Sequence, residues 1–158
     1  MQNIIQIDIE LNCGISEAFE MFTVSKKLES WLPEKAEVEP KVGGKYELFW
    51  DPKSRDTNST IGCKITSIER NKFLSFEWKG PEMFQSFMNF CDPLTHVVVV
   101  FTPSVDDPKK SLVYLFHTGW RDDPVWEEAR SYFEKAWLRA LTNLKEKISS
   151  DSMRSNTN

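Results

Sequence analysis

The clearest indication of the fold comes from residues 124 to 148, PVWEEARSYFEKAWLRALTNLKEKI. Pro124 suits the first position of a helix and Asp123 can cap it, so we predict one helix from Pro124 to about Ile148. Charged residues such as Glu127 and Arg139 occupy one side. Apolar residues recur at spacings of three and four on the other side: Trp126, Ala129, Phe133, Ala136, Trp137, Ala140, Leu144 and Ile148. This pattern predicts an amphipathic helix of about seven turns whose apolar face covers a sheet.

Residues that alternate between polar and apolar predict strands before this helix. Residues 5 to 11 place four aliphatic side chains on one face of a first strand. Two short helices are expected next, the first capped by Ser16 and the second running from Ser25 to Leu32, where Pro33 stops it.

Further alternating runs follow the two short helices. They cover residues 46 to 50, 61 to 65, 74 to 78, 95 to 103 and 111 to 119, and turn formers separate them. We expect about six strands in this part of the chain. A strand, two short helices, a series of hairpin strands and one long helix together predict an α+β fold with an antiparallel sheet of about seven strands.

Composition and charge narrow the classes of function. The chain has 158 residues, 20 Lys and Arg against 24 Asp and Glu, and a net charge of -4. Nucleic-acid-binding domains are usually basic, so we expect no nucleic-acid partner. The longest apolar run, residues 96 to 101, is far shorter than the roughly 18 residues of a membrane span, and no signal peptide is recognisable at the first residues. We therefore predict a soluble, cytoplasmic protein with one domain over residues 1–148 and a polar, disordered tail over residues 149–158.

Several short motifs occur in an order typical of one family. They are Ser16-Glu17-Ala18-Phe19, Trp31-Leu32-Pro33, Glu39-Pro40-x-Val42-Gly43-Gly44-x-Tyr46, Phe76-x-Trp78, Thr95-x-Val97, His117-x-Gly119-Trp120, and Trp126 with Trp137 in the long helix. With these motifs the chain resembles the activator of Hsp90 ATPase homologue 1-like family, named after the C-terminal domain of that cochaperone. The family lies within the START-like (SRPBCC) helix-grip superfamily, and the resemblance covers roughly residues 3 to 148.

The resemblance implies a helix-grip (Bet v 1-like) fold, in which a curved sheet wraps around the last helix with a cavity between them. Proteins of this superfamily bind lipids, sterols, hormones and other apolar molecules, and a few are enzymes. The family name implies a chaperone partner and a role in the stress response. The cochaperone behind the name has a separate N-terminal domain for much of its Hsp90 contact, and we expect no room for such a domain in these 158 residues.

The inward-facing residues of strands and helix are the candidate ligand-binding residues. We expect them to line the cavity: Tyr46, Leu48, Trp50, Leu74, Phe76, Trp78, Val97, Val99, Phe101, Val113, Leu115, His117, Phe133 and Trp137. An ordinary packed core would use the same pattern. The apolar connection from Glu82 to Leu94 and the abundance of Trp favour a cavity.

Among these candidates, His117 is the titratable residue that we single out. Its strand position matches that of Val113 and Leu115, so its side chain should point inward. It either hydrogen-bonds a ligand in an apolar pocket or acts as a structural hydrogen-bonding residue. His96 has the opposite parity and should lie at the surface.

Motifs that carry catalysis are absent from the sequence. It contains no G-x-S-x-G, H-E-x-x-H, P-loop or G-x-G-x-x-G motif, and its three Cys and two His lack zinc-ligand spacing. We therefore expect no cofactor, no metal and no catalytic residue. Binding of a small apolar ligand, as carrier or sensor, is the favoured function. The alternatives are a cochaperone-like protein-interaction module and a cyclase or hydratase that uses His117.

Overall fold

A computed structural model describes residues 3 to 156 as an α+β fold. Its elements, in chain order, are β1 (Ile5–Leu11), α1 (Ile15–Thr23), α2 (Ser25–Leu28), β2 (Lys35–Val38), β3 (Tyr46–Phe49), β4 (Ile65–Glu69), β5 (Phe73–Trp78), a 3-10 turn (Glu82–Phe84), α3 (Gln85–Met88), β6 (Thr95–Pro103), β7 (Ser111–Thr118) and α4 (Pro124–Asn156).

The strands form two antiparallel sheets. The larger sheet has the order β1-β7-β6-β5-β4, and β2 pairs with β3 in the smaller one. The Tyr46 amide donates to the Cys63 carbonyl at 2.9 Å, and Lys45 bridges to Lys64, so the start of β3 is hydrogen-bonded to the segment that leads into β4 of the larger sheet. These seven strands and the long helix confirm the predicted fold class.

Helix α4 lies along the inner face of the larger sheet, beside its edge strand β1. The Asn3 side chain contacts that of Asp122 at one end, and the Asn12 amide donates to the Ser149 hydroxyl at 2.9 Å at the other. Strand and helix therefore run in the same direction. The inward residues of the strands and one stripe of α4 form a single core.

Helix α4 is longer than predicted. It ends at Asn156 instead of about Ile148, so residues 149 to 156 form helix where a disordered tail was expected. No Pro or Gly interrupts this segment, and Lys147 pairs with Asp151 at 3.4 Å across one helical turn. Residues 157 and 158 of the expected tail lie outside the described residues. The domain boundary itself stays a prediction.

Three other local predictions need correction. Ser16 is not a cap, because the first helical hydrogen bond runs from the Ala18 amide to the Gly14 carbonyl and makes Gly14 the cap residue. Helix α2 ends at Leu28, earlier than predicted. Strand β4 begins at residue 65 instead of 61, because Gly62 adopts a φ of 86° within a turn.

Strand β2 was not foreseen from the sequence. It has four residues, KAEV, with the short alternation that many loops also show. Its pairing with β3, from Lys35 opposite Phe49 to Val38 opposite Tyr46, makes it a strand.

Candidate functional site

A cavity of about 460 Å³ lies between α4 and the concave side of the sheets. Ligand sites commonly measure about 300–1,000 Å³. Four parts of the chain form its wall: the turn after α2, the end of β3 with its following loop, the end of β5, and α4. The wall residues are Trp31, Leu32, Trp50, Asp51, Asn58, Ser59, Trp78, Lys79, Gly80, Pro81, Tyr132, Phe133, Ala136, Trp137, Arg139, Ala140 and Asn143.

Six of these wall residues are aromatic. The rings are those of Trp31, Trp50, Trp78, Tyr132, Phe133 and Trp137. The Trp78 ring is central, because its centroid lies 5.0 Å from that of Trp137 and 6.0 Å from that of Trp50. Period two in β5 turns Trp78 inward together with Leu74 and Phe76. The cavity therefore offers flat apolar surfaces to a ligand.

The wall carries both hydrogen-bond donors and acceptors. The indole N–H of Trp78 is buried and has no acceptor among the described residues. Lys79 donates from Nζ to the Ile61 carbonyl at 2.7 Å and keeps further N–H groups. Arg139 is exposed beside the cavity. The carboxylate of Asp51 accepts from the Lys53 amide at 3.2 Å.

His117 lies in a sealed aromatic cluster, away from the wall of this cavity. Its Nδ1 accepts from the indole of Trp137 at 3.0 Å, so Nε2 carries the proton and donates to the Thr95 hydroxyl at 3.1 Å. Burial, together with a smaller effect of the neighbouring His96, lowers the pKa of His117 from 6.5 to about 3. The imidazole is therefore neutral near pH 7 with both nitrogens occupied, which favours its structural interpretation.

The sequence-predicted ligand-binding residues fall into two groups. Trp50, Trp78, Phe133 and Trp137 lie on the cavity wall. The other ten are buried in the core and are not part of that wall: Tyr46, Leu48, Leu74, Phe76, Val97, Val99, Phe101, Val113, Leu115 and His117. For example, the Tyr46 hydroxyl donates to the Phe22 carbonyl at 2.7 Å, and its ring stacks on Phe76 at 3.8 Å. Ligand contact by any of the fourteen stays a prediction.

The wall also includes residues that the sequence analysis did not select. Tyr132, Ala136, Arg139 and Asn143 follow one another at spacings of three and four along α4. They form a stripe beside the buried one, and the helical period could have identified it. By contrast, Trp31 reaches the wall because its indole donates to the Met21 carbonyl at 2.9 Å, a contact that no local pattern reveals.

Two of the cysteines, Cys13 and Cys63, are unsuited to nucleophilic chemistry. Cys13, Cys63 and Cys91 form no disulfide. Burial raises the pKa of Cys13 to about 11 and that of Cys63 to about 12, so both are thiols at neutral pH.

Within residues 3 to 156, no three His, Cys, Asp or Glu side chains come together as metal ligands would. In the same range, none of the helices has the length and apolar character needed to span a membrane.

A curved antiparallel sheet closed over one long helix, with a cavity between them, defines a helix-grip protein. The family described as activator of Hsp90 ATPase homolog 1-like protein matches residues 12–149, and the chain belongs to this family. The resemblance seen in the sequence motifs is therefore confirmed. No curated protein matches the chain.

Solved structures with the same fold have little sequence in common with this chain. A protein from Mesorhizobium loti shares 19% identity with a TM-score of 0.68, over 89% of this chain and 94% of its own. The Aha1 dimer from Colwellia psychrerythraea shares 15% (TM-score 0.67, 92% and 95% covered). An Hsp90 activator from Plasmodium falciparum shares 22% (TM-score 0.66, 94% and 97% covered). Identities this low demonstrate the fold alone.

Proposed function

We propose that the chain binds a small apolar ligand in the cavity between α4 and the sheets, as a carrier or sensor. The observation that carries this proposal is a cavity of about 460 Å³ with six aromatic residues in its wall. Ligand surface buried there contributes about 25 cal/mol per Å² to binding. The polar groups around the rings fix the orientation of the ligand.

Binding is tested by titrating the protein with planar apolar compounds while tryptophan emission and thermal unfolding are recorded. Because Trp50, Trp78 and Trp137 lie on the wall, a ligand should change the emission saturably. A ligand at 100 times its dissociation constant should raise the free energy of unfolding by about 2.7 kcal/mol.

A matched pair of variants tests whether the changes in tryptophan emission and in thermal unfolding arise from binding in the cavity. Ala136→Phe places a ring in the cavity and should abolish both responses. Leu138→Phe adds a ring on the same helix at a position that is 57% exposed, and it should leave them intact. No response from a broad panel of compounds, or an equal response from both variants, would refute the proposal.

A cochaperone-like function is the second candidate, and the family match favours it. The connection between β5 and β6 exposes two large apolar side chains, Met83 at 64% and Phe90 at 83%. Exposed apolar groups of this kind occur in protein interfaces. If they contact a chaperone in a stress response, the protein should stimulate the ATPase of an Hsp90. The double variant Met83→Ser, Phe90→Ser should then lose this effect, while Ala136→Phe should retain it.

A further inference from the structure

We propose that the ligand of the cavity is an aromatic acid: a planar apolar body that carries a carboxylate or a similar anion, which pairs with Arg139. This inference rests on the proposed ligand-binding function and specifies its ligand class. Four features of the wall support it, namely the free guanidinium of Arg139, the balance of charge, the unpaired N–H of Trp78, and the flat shape of the apolar surface.

Arg139 is a cation without a carboxylate partner among the described residues. The positions three and four residues away on α4 hold Lys135, Ala136, Thr142 and Asn143, so no ion pair along the helix can form. Arg130 on the same helix differs, because it pairs with both Glu127 and Glu134. The guanidinium of Arg139 is therefore available for bidentate pairing with an acid group of a ligand.

The charges of the cavity wall favour an anion over a cation. Lys79 and Arg139 bring two positive charges, and Asp51 brings one negative charge. The protein as a whole carries a net charge of -4, so the wall has the opposite sign from the rest of the molecule. A cationic ligand would meet two like charges there, which is unfavourable.

The buried N–H of Trp78 favours a ligand that also carries a hydrogen-bond acceptor. A buried donor without a partner costs free energy, which an oxygen atom of the ligand would recover. This nitrogen is closed to solvent, so a neighbouring ring has to move before a ligand can reach it. Trp50 suits that movement, because it lies edge-on to Trp78 and is 39% exposed. An ionised acid group supplies acceptor oxygens and has no hydrogen-bond donor that would compete with the N–H of Trp78.

The aromatic surfaces of the wall favour a ligand with a planar aromatic body over one with a flexible alkyl chain. Trp78 and Trp137 present ring surfaces whose centroids lie 5.0 Å apart, and Phe133 and Tyr132 meet at 5.1 Å. Aromatic rings pack on such surfaces in edge-to-face or offset geometry. A flexible alkyl chain would lose more conformational freedom on binding than a rigid aromatic body.

The experiment compares three probes of equal shape and different charge by titration calorimetry: biphenyl-4-carboxylate, biphenyl-4-carboxamide and biphenyl-4-methylamine. The wild-type protein should bind the carboxylate about tenfold more tightly than the amide, and the amine most weakly. Arg139→Gln should remove the preference for the carboxylate and leave amide binding unchanged. Arg139→Lys should retain part of it.

Lys145→Gln is the matched control. Lys145 is an exposed cation on the same helix, with no carboxylate three or four residues away and no place in the cavity wall. Its replacement changes the net charge by the same amount as Arg139→Gln and should leave all three affinities unchanged. Thermal unfolding of each variant verifies that the fold is intact.

The outcomes separate this inference from the function on which it rests. Equal affinity for carboxylate and amide, tightest binding of the amine, or equal losses in Arg139→Gln and Lys145→Gln would overturn the acid class while ligand binding stands. If none of the three probes binds the wild-type protein while other planar apolar compounds do, the acid class is refuted and ligand binding stands. If no compound of a broad panel binds, both are refuted.

Discussion

Two neighbouring stripes of α4 differ in how well they fill the space beside them. The buried stripe carries large residues such as Trp126, Leu141 and Leu144, and the core around it is continuous. The adjacent stripe carries Ala136 and Ala140, and the cavity lies there. Both stripes lie on a helix that packs on the same curved sheet. The size of a few side chains therefore determines, more than the backbone does, where the core is packed and where a cavity remains.

The largest effect is expected from truncation of the filled stripe. Leu144→Ala should lower the free energy of unfolding by about 2–5 kcal/mol, because the side chain is fully buried and its loss leaves a void. Leu138→Ala, at an exposed position, should cost less than about 1 kcal/mol. Denaturant unfolding of both variants provides the measurement. Equal losses would mean that the two stripes do not differ as described.

A second prediction uses the sealed surroundings of His117. Since its folded pKa is about 3 and its unfolded value about 6.5, the unfolded state binds the proton first as the pH falls. Stability contributed by the neutral imidazole is present above pH 6.5 and is lost toward pH 3. Between pH 7 and pH 5 this loss should amount to about 2 kcal/mol.

His117→Gln should be free of this part of the pH dependence. Unfolding free energies of the wild type and the variant, each at pH 7 and pH 5, give the difference. His96 is present in both proteins, so its own titration cancels to first order. Identical pH dependence in the two proteins would indicate that His117 is open to water, as the cavity wall is.

The smallest effect compares two alanines on α4. Ala129 is fully buried, so Ala129→Leu should overfill the core and cost about 1–3 kcal/mol. Ala140→Leu adds the same atoms toward the cavity and should cost less than about 1 kcal/mol. Thermal unfolding of the two variants measures the contrast, and a greater loss for Ala140→Leu would contradict the placement of the cavity.

Strong periodic patterns allowed most of the fold to be predicted. Strand β6 has the bounds expected from its alternation, and the long helix begins at the predicted Pro124. Elements defined by long-range pairing were harder to predict from the sequence. For example, β2 is a strand only because β3 pairs with it. Turn geometry at Gly62 likewise moved the start of β4 from residue 61 to Ile65, which alternation alone could not indicate.

The candidate site was less predictable because strand parity gives the face of a residue but not its surroundings. Phe76 and Trp78 share a face of β5, yet Phe76 stacks on Tyr46 in the core and Trp78 reaches the cavity. The curvature of the sheet and the small residues of α4 determine which of them meets open space. His117 was placed inward correctly, but its partner Trp137 lies 20 residues away, and only the tertiary structure brings them together.

The pairing of β1 with β7 has a consequence for folding during synthesis. Leu11 pairs with Ser111, one hundred positions later, and the helix that covers this sheet comes later still. Ribosomes add about 5–20 residues per second, so β1 waits on the order of 5–20 s for its partner strand. During that interval the inward faces of β3 and β5 have no helix to cover them. The nascent chain therefore exposes these apolar faces until α4 has been synthesised, and its native core can close only after that point.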